Sequence, residues 1–97
     1  MRVRFTPNAW GQIDEIERYL LGESPLAARR FVNRVEEMAQ AIAAHPELGV
    51  MTSSPPMRRV QLRPFPHLVF YEPHSQGLAV IGVLHGARDP GSMPDAR

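Results

Sequence analysis

The residues best placed to do chemistry stand at the end of the most apolar run in the chain. Leu78–Leu84 is nearly all apolar, His85 follows at once, and Arg88 and Asp89 come close behind. An imidazole titrates near neutral pH, so His85 is a candidate proton donor or acceptor. A guanidinium stays charged and offers a planar fork of donors suited to carboxylate and phosphate. A further pair of guanidiniums, Arg58 and Arg59, sits in the alternating stretch Met57–Leu62. Neighbouring residues of a strand face opposite sides, so one of these two is left to solvent. Plainer readings stand beside these. His85 can hydrogen-bond backbone at a strand end, and Arg88 and Asp89 can pair with each other or hold the tail.

Other polar and aromatic residues carry weaker signals. Tyr71 reads as a core ring with its hydroxyl at the rim. Phe65, between Pro64 and Pro66 on a rigid turn, is costly to expose, so a partner or the chain's own tail is expected to cover it. His45 stands beside Pro46 at a helix end, near the negative end of the dipole. His67 and His74 flank a hairpin but lack carboxylate or thiolate company, so no metal site and no cofactor are expected. Met38, Met51 and Met57 read as gap-filling apolar residues.

The elements that must position these groups follow from periodicity. Arg2–Thr6 alternates, with Val3 and Phe5 on one face, and predicts a half-buried strand. Thr6-Pro7 is an N-cap followed by Pro at the first helical position. Trp10, Ile13, Ile16 and Leu20 then recur on one face, and Gly22 suits the residue past the helix end, predicting a helix over Pro7–Leu21. Ser24-Pro25 repeats the start signal. Phe31, Val35, Met38 and Ile42 are spaced 4, 3 and 4, and Pro46 stops this second helix near Ala44. The link is so short that the helices must pair as an antiparallel hairpin. His45–Pro56 predicts an irregular, mobile loop. Strands are expected over Met57–Leu62, His67–Glu72 and Leu78–Leu84, with Pro64–Pro66 as a turn and Pro73–Gly77 as a hairpin loop. The last strand is expected to be buried on both faces.

Composition bounds the rest. Ninety-seven residues make one domain, 1–97, with 86–97 expected as an irregular tail. The apolar fraction of 43% suits a globular fold. No apolar run approaches the ~18 residues that span a membrane, and Met1–Phe5 lacks the apolar core of a signal peptide. Cysteine is absent, which removes disulfides and thiolate zinc sites. A cytoplasmic location is expected. Net charge is +1, and all eleven cations are Arg, a bias that drift in genome composition explains.

Five segments, in order, resemble the RelE/ParE toxin superfamily, and its ParE-like branch in particular. They are Val3–Ala9, Ala27–Phe31, His45–Gly49, the pair Met57–Val60 with Val69–Tyr71, and Val83–Asp89. The resemblance implies an α+β fold of order β-α-α-β-β-β, with an antiparallel-rich curved sheet packed on the helical hairpin. It implies a toxin of a type II toxin–antitoxin module, neutralised by a cognate antitoxin in a hetero-oligomer.

The superfamily divides in mechanism. RelE-like members cleave ribosome-bound mRNA, whereas ParE-like members are described as blocking DNA gyrase. Metal-independent RNA cleavage needs an acid, a base and cations for the phosphorane; His85, Arg58 and Arg88 are the candidates. RelE-like nucleases usually add Lys or Glu on the central strands and a Tyr in the tail. Here Asp89–Arg97 holds neither Tyr nor Lys, which favours the ParE-like reading. On that reading Arg58, Arg59, His85 and Arg88 contact the target, and Trp10, Phe65 and Tyr71 contact the antitoxin. The partners expected are the antitoxin and gyrase, or the ribosome in the alternative, with DNA reached only through the antitoxin. A third reading is a non-toxic regulatory partner of the antitoxin.

Overall fold

In a computed structural model, residues 2–87 are described; Arg88, Asp89 and the rest of the expected tail lie outside them. The elements run β1 (Val3–Phe5), α1 (Pro7–Glu23), α2 (Pro25–Ala44), β2 (Val50–Met51), β3 (Arg58–Gln61), β4 (His67–His74) and β5 (Gly77–His85). They form one five-stranded sheet of order β1-β5-β4-β3-β2, backed by the helical pair. β1 runs parallel to β5, and the other neighbours are antiparallel. No helix among the described residues is long and apolar enough to cross a membrane.

The start signals act as expected. The Thr6 hydroxyl accepts the Ala9 N–H at 3.1 Å, and Pro7 opens α1. Ser24 alone joins the two helices. Its N–H donates to Leu20 O at 2.7 Å, closing α1, while its hydroxyl accepts Ala27 N–H, opening α2. Ser24 is extended, with φ −162° and ψ 121°. It needs no left-handed residue before it, so α1 continues through Gly22 to Glu23. Gly22 is therefore a helical residue and not the cap.

Phe31, Val35, Met38 and Ile42 of α2 pack with Ala9 and Ile13 of α1 on one face of the sheet, against Leu62, Val69, Tyr71, Leu78, Val80 and Val83. The other face carries a smaller cluster of Met57, Phe70 and Leu84, with Leu68 and Ile81 against it. β5 lies between β1 and β4 and feeds both clusters, which explains its unbroken apolar run.

A bulge sets the faces of β5. Tyr71 pairs with Val80 but Phe70 pairs with Gly82, so Ile81 is an extra residue on β5. The insertion reverses the alternation beyond it. Val83 and His85 thereby share the helix-facing side with Val80, although each lies an odd number of residues from it.

The segment expected as a mobile loop is tied down and contains β2. Val50 and Met51 pair with Arg59 and Arg58. The Thr52 hydroxyl donates to Met57 O at 2.9 Å and accepts Ser54 N–H at 3.1 Å. β4 also runs further than expected, to His74, leaving a tight turn before Gly77.

Candidate functional site

Two polar clusters form on the helix-facing side, one at the start of β4 and one at its middle. At one end, His67 and His85 are cross-strand partners whose rings meet edge to face at 5.3 Å. His67 is only 8% exposed and also packs edge-on against Phe31 at 5.2 Å. Its Nδ1 is buried and has no hydrogen-bond partner among the described residues. Burial, and secondarily the neighbouring His85, hold its pKa below the ordinary imidazole value, so the ring is neutral at neutral pH. His85 is exposed, and its Nδ1 accepts the Ala87 N–H at 3.0 Å.

These imidazoles border a cleft of about 580 Å³ between α1 and the ends of β4 and β5. Ile16, Leu20, Phe65, Pro66, Val83 and Leu84 contribute its apolar walls, and Gln12, Glu15 and Tyr19 line it from α1. Gln12 closes the open edge of β5: beyond Phe5 there is no β1 left to pair with it, and the Gln12 Oε1 accepts Val83 N–H at 2.8 Å. Asn8 similarly donates to Ile81 O at 3.3 Å.

At the middle of β4, Tyr71 is fully buried. Its hydroxyl donates to Pro46 O at 2.8 Å and accepts Gly49 N–H at 2.7 Å. Burial pushes its pKa up, against smaller opposing effects of the Gly49 hydrogen bond and Arg58, which keeps the hydroxyl proton available to Pro46. The Arg58 guanidinium donates to Gly49 O at 2.7 Å and reaches Glu47 O at 3.5 Å. A side chain at Gly49 would meet Arg59 O at 2.7 Å and the Tyr71 hydroxyl at 2.8 Å. The close approach therefore requires glycine.

Several expected roles change accordingly. Tyr71, expected to contact the antitoxin, offers no surface; its hydroxyl pins the loop after α2. Arg58, expected to contact the target or to neutralise a phosphorane, has its guanidinium on that loop's carbonyls. Arg58 is opposite Tyr71 and His85 opposite His67, four residues apart on β4, which is about 13 Å at the rise of a strand. The two are not brought together. Arg88 lies outside the described residues. Arg59 faces the other side of β3 from Arg58, opposite Phe70, as strand alternation requires.

The aromatic residues divide. Trp10 is 55% exposed and stacks on Phe5 at 4.5 Å, so its surface is open to a partner. Phe65 is half-buried, and the ring that covers it is Phe31, edge-on at 5.3 Å. Phe65 also lines the cleft. Leu48, Val50 and Met51 are exposed at the β2 edge of the sheet. Sequence reasoning missed this edge, together with Gly49 and Gln12. Gly49 carried a visible signal, a glycine following the helix exit, but nothing in the sequence marked its partner Tyr71. Among the described residues no group of three or more His, Asp or Glu could hold a metal ion.

Comparison with known proteins follows the same lines. Residues 3–90 match the family described as the ParE toxin of the type II toxin–antitoxin system, parDE. The chain is 30% identical over 84 residues to a Sinorhizobium fredii protein named "Putative toxin Y4kP", covering 87% of this chain and 86% of that one. The fold matches a chain from the chromosomal ParDE TA system of P. aeruginosa with a TM-score of 0.75, over 88% of this chain and 95% of that one. Sequence identity there is 18%, so the likeness speaks for the fold.

Proposed function

Since the chain belongs to the ParE toxin family of type II toxin–antitoxin systems, we propose that it arrests growth by binding a large protein target such as DNA gyrase, and that a cognate antitoxin neutralises it by direct binding. The observation that carries the choice of protein binding over RNA cleavage is the separation of Arg58 from His85. A metal-independent nuclease needs its proton-transfer group and its phosphate-neutralising cations around one scissile bond. Here the Arg58 guanidinium is turned to the Gly49 and Glu47 carbonyls, about 13 Å along β4 from the His67–His85 pair.

The exposed surface supports a protein partner. β2 is an edge strand with Val50 and Met51 exposed. Such an edge offers unpaired backbone groups to an added strand, with apolar side chains to contact it. Trp10 adds a large ring on α1 of the kind that anchors interfaces. A net charge of +1 gives no electrostatic basis for binding DNA directly, so DNA is reached through the antitoxin.

Expression of the chain alone tests this reading. Growth arrest that is relieved by the antitoxin encoded beside it supports the proposal. Undisturbed growth from soluble, folded protein contradicts it and favours a non-toxic regulatory partner.

A further inference from the structure

Three polar side chains of the cleft between α1 and the β4/β5 rim, Gln12, His67 and His85, share one property. None turns a free acceptor to the cleft, because that atom is either bonded to the backbone or buried. Gln12 gives its Oε1 to Val83 N–H, which fixes the amide orientation and leaves the NH₂ as its remaining polar group. His85 gives Nδ1 to Ala87 N–H, which places its proton on Nε2. His67 has Nδ1 buried without a partner. An orphaned buried N–H is rarer and costlier than an orphaned lone pair, so its proton also belongs on Nε2. Three side chains from two different walls therefore border the cleft with N–H groups as their uncommitted polar atoms.

The rest of the lining is largely apolar, and the volume, about 580 Å³, falls in the range of small-molecule sites. The Glu15 carboxylate also lines the cleft, from α1. It disfavours a second negative charge there, and His67 is held neutral by burial. Hydrogen-bond donors, apolar walls and a carboxylate at the rim define a particular complement.

We propose that this cleft is a binding site for a compact apolar small molecule carrying an uncharged hydrogen-bond acceptor, such as an amide, ketone or lactone carbonyl. The acceptor lies against His67, His85 and Gln12, and the apolar body lies between Ile16, Leu20 and Phe65. The site does not depend on the identity of the toxin's target.

Titration of the purified chain with N-benzylacetamide, ethylbenzene and 3-phenylpropionate tests this, read by NMR of the imidazole nitrogens. The wild-type spectra should show the Nε2–H tautomer for both His67 and His85. N-benzylacetamide should bind about tenfold more tightly than either of the others, the ratio that one or two good hydrogen bonds supply, and should shift both Nε2–H signals. The exposed His85→Phe variant should lose most of that preference and still bind ethylbenzene. An Nδ1–H tautomer on either ring, equal affinity for the amide and the hydrocarbon, or tightest binding of 3-phenylpropionate would each overturn the proposal. So would failure of all three probes to saturate. If only a protein partner protects these resonances, the cleft is a docking surface and the small-molecule assignment falls.

Discussion

The Tyr71 hydroxyl accepts the Gly49 N–H at 2.7 Å, joining two residues 22 positions apart in the chain. Because the same hydroxyl donates to Pro46 O, one phenol satisfies both sides of the loop that follows α2. Tyr71→Phe leaves the Gly49 N–H and the Pro46 carbonyl without this partner. The expected loss is about 1–3 kcal/mol, which for a domain of this size lowers Tm by roughly 5–15 °C. Gly49→Ala should also destabilise, and Tyr71→Phe should not rescue it, because the contact with the Arg59 backbone oxygen remains. Thermal denaturation of the two single variants and the double variant checks both statements.

Arg58 shares that loop, and so its coupling pattern is defined. Arg58→Ala removes the donor to Gly49 O and should speed amide hydrogen exchange in Gly49–Met51. Its effect on stability should be non-additive with Tyr71→Phe, because the two hold one segment. With His85→Ala it should add to within about 0.5 kcal/mol, as expected of sites more than about 10 Å apart. Strong coupling between Arg58 and His85 would mean that they act together after all.

His67 makes stability depend on pH with a definite sign. Its folded-state pKa is lowered, first by burial and then by His85, so in the acid range the unfolded chain binds more protons than the folded one. Stability is therefore complete above the unfolded imidazole pKa of about 6.5 and falls as the pH drops from there toward the lowered folded value. Chemical denaturation from about pH 7.5 to about pH 5 should show a steeper loss for the wild type than for His67→Phe, within which this proton is absent.

Trp10 and Phe65 should separate binding from stability. Trp10→Ala removes a ring that is mostly exposed and stacked on Phe5. It should change stability by less than about 1 kcal/mol while weakening antitoxin affinity at least about tenfold. Phe65→Ala removes an edge contact with Phe31 and should destabilise the fold by about 1–3 kcal/mol. Calorimetric titration with the antitoxin beside thermal denaturation distinguishes the two.

Much of the scaffold could be read from residue order, because its signals are local. Thr6-Pro7 and Ser24-Pro25 announce helix starts through side-chain caps. The Phe31, Val35, Met38, Ile42 stripe announces a buried face, and the Leu78–Leu84 run announces a strand covered on both sides. What could not be read is set by tertiary pairing. β2 has two residues and exists through its ladder with β3. The face that His85 presents depends on a bulge at Ile81; Gly82 beside it is a local mark of such a site, but it does not tell which neighbour is the extra residue. The roles of Tyr71 and Arg58 depend on a loop that returns from α2 to meet them. Gly22 misleads because Ser24, extended, ends one helix and starts the next.

The central claim is that this ParE-family chain acts by binding a protein and not by cutting RNA. The most direct measurement places the purified chain, in parallel, in a gyrase supercoiling reaction and with ribosome-bound mRNA. The account predicts inhibited supercoiling, relieved by stoichiometric antitoxin, and intact mRNA. Cleaved mRNA with supercoiling untouched would contradict it.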